Sequence, residues 1–162
     1  MPKDKSMGLH EPVERFHLPS HAIIAASTDP LEPDNHYDFM WFRDQLFNAL
    51  PYYYMGDTEK LHACIGVIFD VLELQREKIE RALVNPPDRS RVHDYVHAKY
   101  SVNPLGIATN DWGHHQLDAV GLLLFLVGEL ETEGNEKNSP LHSALRNSGD
   151  RELIAILVRY VE

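Results

Sequence analysis

From Glu59 to Leu83 the residues Leu61, Ile65, Ile68, Leu72, Gln75 and Ile79 recur in steps of three and four. That spacing belongs to an α-helix with one buried stripe, and such a stripe must be covered by other elements. Asp57 or Thr58 can cap the start of this helix, and Pro86-Pro87 ends it. Upstream, Leu46, Phe47, Ala49, Leu50 and Tyr54 predict a helix from Arg43 to Met55, kinked at Pro51 and terminated by Gly56. Downstream, a third helix from His114 to Leu130 is apolar around most of its circumference, with Val120 and the run Leu122 to Val127, so it needs neighbours on several sides. After a polar linker from Glu131 to Ser139, a short helix is expected over Pro140 to Arg146. A last helix begins near Gly149 or Asp150 with Leu153, Ile154, Leu157, Val158 and Val161. It is still apolar at Val161 and lacks the usual Gly or Asn stop, as in a piece of a larger protein.

Between these helices, Asp88 to Asp111 shows no sustained period and contains Pro104 and Gly106, which predicts a long functional loop. Residues 1–35 read as an extended leader with one buried apolar segment, Ala22 to Ala26. Strand-like alternation is nearly absent, so the chain reads as all-α, one domain over residues 1–162, with helix pairs packed antiparallel. The length of 162 residues and a 43% hydrophobic content allow a substantial core. A formal net charge of -10 disfavours nucleic acid as a partner, because phosphate binding needs a clustered basic face. Cys64 is the only cysteine, so no intrachain disulfide can form and a cytoplasmic location is expected. No stretch predicts a signal peptide or a membrane span, and no membrane partner is expected.

Two clusters carry the chemistry. Trp41, Arg43 and Asp44 stand immediately before the first helix, and Asn110-Asp111-Trp112-Gly113-His114-His115-Gln116-Leu117-Asp118 opens the third. An indole face beside an Arg fork and a carboxylate suits a sugar: the ring stacks on C–H faces while the charged groups meet vicinal hydroxyls. The simpler alternative is an acidic helix start and two core tryptophans. Tyr52, Tyr53 and Tyr54 could line a cleft, but consecutive helical residues face different ways, so at least one packs inward. Lys99 and Tyr100 serve equally as rim or structural residues. His93 and His97 are four residues apart, as are His114 and Asp118, but neither pair brings a third ligand, so no metal and no cofactor are expected.

Ala25-Ala26-Ser27, Trp41-Phe42-Arg43-Asp44 and Trp112-Gly113-His114-His115-Gln116-Leu117-Asp118 resemble, in order and spacing, the N-terminal half of glycoside hydrolase family 15, the glucoamylases and glucodextranases. Val96-His97-Ala98-Lys99-Tyr100 with Asp111-Trp112-Gly113-His114 is closer still to the amino-terminal domain of the phosphorylase kinase regulatory subunits. The resemblance covers Ala22 to Glu162 and implies the N-terminal part of an (α/α)6 toroid. It also implies an α-linked glucoside or glucan as partner and inverting cleavage of α-glucosidic bonds. By the same resemblance Arg43 and Asp44 would hold the hydroxyls of a terminal glucose and Trp41 would wall the pocket. Trp112 would position the catalytic acid, and Gln116 and Asp118 would support the rim and the helix start. The family's two catalytic glutamates lie further along than these residues, and no Glu here falls in a motif like either. The expectation is therefore a glucose-binding segment with no catalytic residue of its own. A regulatory or carbohydrate-sensing domain and a helical interaction protein are the alternatives. Half a toroid would expose the flanks of the third and last helices, predicting self-association or a missing C-terminal half.

Overall fold

A computed structural model describes residues 16–25, 38–109, 113–134 and 143–162, with 133 and 134 described by their backbone alone. Its first two helices, α1 (Phe42–Met55) and α2 (Thr58–Glu73), form a helical hairpin. Gly56 turns the chain with φ 70°, a left-handed conformation that a residue with a Cβ resists. Its N–H bonds the Tyr53 carbonyl (3.1 Å), and the Asp57 N–H bonds that of Tyr52 (2.9 Å), closing the end of α1 in a Schellman motif. Asp57 then caps α2 by accepting from the Lys60 N–H at 3.2 Å. Helix α1 continues through Pro51.

The single long helix expected from Glu59 to Leu83 is instead two. Helix α2 stops at Glu73, and α3 (Arg76–Val84) restarts beyond Gln75, whose φ and ψ are -115° and 5°. The cause lies in the side chain: Gln75 occupies a buried place in the apolar row, where an amide needs partners. Its Nε2 donates to the Val71 carbonyl (3.1 Å) and the Tyr100 hydroxyl (2.8 Å), and its Oε1 accepts from the His97 N–H (2.9 Å). The elbow between α2 and α3 is thus pinned to the segment carrying His97 and Tyr100.

That segment corrects a second expectation. Residues 88–111 were to be irregular, yet their described part contains a 3-10 turn (Val92–Asp94) and a hairpin of β2 (Lys99–Val102) and β3 (Leu105–Ile107). Strand β1 (Met40–Trp41) completes an antiparallel sheet of order β1-β2-β3, with Trp41 opposite Lys99 and Tyr100 opposite Ile107. The hairpin turns at Asn103-Pro104, a cis peptide. The protein is therefore mostly helical with a small sheet, rather than all-α. Strands of two, four and three residues are too short for alternation to register in the sequence.

Helix α4 (Leu117–Gly134) begins three residues later than its apolar period, because His114 to Gln116 form the turn before it. Helix α5 (Ser148–Val161) packs against α3 and α4. Residues 143–146, the described part of the short helix expected over Pro140 to Arg146, are not helical. There Asn147 Oδ1 caps the Asp150 N–H (3.1 Å), and the Arg146 guanidinium grips the buried Asp150 through Nε (2.9 Å) and Nη2 (3.1 Å). Arg146 Nη1 also reaches the Gly66 carbonyl (3.2 Å) and Asp70 (2.7 Å), fastening α5 to α2.

The core is built from all these helices: Leu46, Ala49, Tyr52, Ile65, Ile68, Leu72, Leu123, Leu126, Leu153 and Leu157 are buried. In the described part of the leader, Ala22 and Ile23 join the core, and Ile24 bridges to Met40 beside the sheet. Gln45, fully buried, holds this segment by accepting from the Ile23 N–H (2.7 Å) and donating to the carbonyls of His21 (2.9 Å) and Cys64 (3.1 Å). Phe125 on α4 and Val158 on α5 are 62% and 43% exposed, where the third and last helices were expected to show apolar flanks. Among the described residues no helix is long and apolar enough to cross a membrane.

Candidate functional site

Arg43 occupies the second position of α1 and Asp118 the second of α4. The two helix starts are side by side, and Arg43 Nη1 meets Asp118 Oδ2 at 2.6 Å. The neighbouring guanidinium and the backbone N–H groups of Asp118 and Ala119 hold the Asp118 carboxyl below its usual range, and the carboxylate in turn raises Arg43. Both side chains remain accessible, 44% and 58% exposed, so their unused donors and acceptors face solvent. Asp44, one residue on, makes no ion pair among the described residues, so the partner of Arg43 comes from the second cluster rather than the first. Its field still contributes to raising Arg43.

Trp41 precedes this pair on β1, and the sheet register places it opposite Lys99. The Lys99 ammonium lies 3.9 Å from the Phe39 ring centroid and 5.3 Å from that of Trp41, a cation held on aromatic faces and largely shielded from water. Burial pushes its pKa down, partly offset by Asp38. Gln116 donates to the Gly113 carbonyl (3.0 Å) and shapes the turn that leads into α4. Trp112 lies outside the described residues. The structure thus pairs Arg43 with Asp118 across two helix starts and, on the adjoining strands, sets the buried Lys99 against Trp41. Of the three tyrosines, Tyr52 is buried against His17 (3.1 Å), Tyr53 is half-buried and Tyr54 is exposed. Tyr100 is structural: it is fully buried and burial pushes its hydroxyl pKa up.

The histidines group differently from their sequence pairs. Asp118 leaves His114 for Arg43, and His114 joins His93 and His97, supplying the third nitrogen that the pairs lacked. Tested as a metal centre, this trio fits poorly. The rings of His97 and His114 stack at 3.9 Å with an interplanar angle of 18°, so their in-plane lone pairs run side by side instead of converging. Nδ1 of His114 accepts from the Ala98 N–H at 3.2 Å, which leaves the proton of the neutral ring on Nε2. The trio is a packed aromatic cluster, and burial together with the charges of Lys78, His114 and His93 pushes His97 down to about 3.

A further group escaped the sequence reading. Lys78, Arg81, Ala82 and Asn85 line one side of a cavity of about 280 Å³, and Pro87, Arg91 and Asp94 line the other. The signal was present as basic residues at i and i+3 on one helix face, but the opposing wall comes from the loop after Pro87 and has no fixed spacing from it. No protein-family model, curated protein or solved structure matches this chain.

Proposed function

We propose that the face formed by Trp41, Arg43 and Asp118 binds the terminal glucose unit of an α-linked glucoside or glucan, as a segment of a glucoamylase-like (α/α)6 protein. The observation that carries the reading is the 2.6 Å contact between Arg43 and Asp118, residues of two motifs 75 positions apart. An Arg fork and a carboxylate presented together offer donors and acceptors to adjacent hydroxyls, and Trp41, two residues before Arg43, would supply the apolar wall. Asp44 and Gln116 flank the pair, and Trp112 would complete the wall that the resemblance assigns to it. Hydrolysis with inversion requires an acid and a base about 6.5–9.5 Å apart. No motif in these residues supplies that pair, so the chemistry offered by this segment is recognition.

A regulatory, carbohydrate-sensing role like that of the phosphorylase kinase subunits is the second reading, favoured by the openness of the ion pair. The test is isothermal titration with maltose and maltotriose against the wild type, Arg43→Ala and Asp118→Asn. Loss of either charged group should weaken binding by about 1.5–3 kcal/mol, while helicity by circular dichroism stays unchanged. Absence of maltotriose binding by the folded wild type, or equal affinity in all three proteins, would sink the assignment.

A further inference from the structure

In a chain of net charge -10, the cavity beneath α3 is basic. Lys78, Arg81, Ala82 and Asn85 share one helix face, and the loop bearing Pro87, Arg91 and Asp94 closes the opposite side around about 280 Å³. Three cations and one carboxylate give this small space an excess of positive charge. Arg91 spends its Nε on Asp94 at 2.9 Å, leaving the two terminal amino groups of its fork. Arg81 has no ion-pair partner among the described residues. Lys78 donates to the His93 carbonyl at 3.3 Å, and its ammonium retains two further protons.

We infer that this cavity is an oxyanion site that takes the phosphate group of a small phosphate monoester or inorganic phosphate, held between Arg81 and Lys78 on the helix and Arg91 on the loop. Two guanidinium groups and an ammonium lining one cleft can give several charge-assisted hydrogen bonds to phosphate oxygens, and Asn85 adds an amide donor. Basic residues in the last turns of a helix also complement its dipole, which accounts for Arg81 alone. It does not account for Arg91, which comes from another element and lines the same cleft as Lys78, whose pKa burial pushes down to about 8, with Asp94 raising it and Arg81 lowering it. A volume of about 280 Å³ admits a phosphate ion or a phosphate carrying a small organic group. None of these residues belongs to the Trp41, Arg43 and Asp118 face, so the inference stands apart from the carbohydrate reading.

The experiment is titration calorimetry at low ionic strength and pH 7 with inorganic phosphate, glycerol 3-phosphate and glycerol, on the wild type, Arg81→Gln, Arg91→Gln and, as a control on the exposed side of α5, Arg151→Gln. The site requires that at least one phosphate-bearing probe binds, that Arg81→Gln and Arg91→Gln each weaken it about tenfold or more, and that Arg151→Gln leaves it unchanged. Tighter binding of glycerol 3-phosphate than of phosphate identifies a monoester as the ligand, and equal binding identifies the free ion. Both arginines are exposed, so the substitutions leave the core intact, and matching circular dichroism spectra verify it. Lack of phosphate binding by the wild type overturns the inference. So does binding that survives both substitutions or that glycerol alone reproduces.

Discussion

Acid should destabilise this protein through one ring in particular. His97 is 3% exposed, stacked on His114, and faces Lys78 and His93, so its protonation in the folded state is held down to about 3. In the unfolded chain the same imidazole titrates near 6.5. The folded-state value is depressed, so between these values the unfolded state binds more protons, and stability is lost as pH falls from about 6.5 toward 3. At pH 5 the loss relative to pH 8 works out at about 2 kcal/mol, which is RT times the logarithm of the ratio of unfolded to folded binding polynomials. This figure holds for any folded-state value up to about 4, because at pH 5 the folded ring is then still neutral. The assay is urea unfolding of the wild type and His97→Asn at pH 8 and pH 5. Subtracting the two pH differences cancels the direct effect of the substitution on packing and the contributions of other groups. A drop about 2 kcal/mol larger in the wild type is expected. Equal drops in both proteins would refute the claim that His97 is kept neutral by its burial.

Three further outcomes follow from single residues. Gly56→Ala should lower stability by about 1–2 kcal/mol, since φ is 70° and no atom lies within 4 Å of the added Cβ, so the whole effect is backbone strain; an unchanged urea midpoint would contradict it. Gln75→Leu should be destabilising by about 1–3 kcal/mol, because it removes the acceptor of the His97 N–H and a donor to the Tyr100 hydroxyl inside the core; a neutral or stabilising effect would show that the elbow does not depend on the amide. Cys64 is buried and its thiol is pushed up to about 12, so at pH 8 a disulfide reagent such as DTNB should modify it only as fast as the protein unfolds; rapid modification of the native protein would disprove that protection.

The sequence by itself determined the helical course of α1, α2, α4 and α5, because those signals are local, whereas the helix expected over Pro140 to Arg146 is absent from its described part. The three-and-four spacing around Ile65 and Ile68, the Gly56 stop and the Asp57 cap all act within a turn or two of the chain, and the structure has each of them. It also marked Arg43 and Asp118 as residues of interest, although not as each other's partner. What only the tertiary structure decided are features that join distant segments. The break at Gln75 exists because His97 and Tyr100, more than twenty residues away, offer partners to a buried amide. The sheet exists because β1, a pair of residues before α1, finds β2 across the chain. The meeting of His114 with His93 and His97, and of Arg91 with Lys78 and Arg81, likewise depends on how helices and loops close over a shared core. Local periodicity reports which face of an element is apolar; it carries no record of which distant polar group that face will meet once water is excluded.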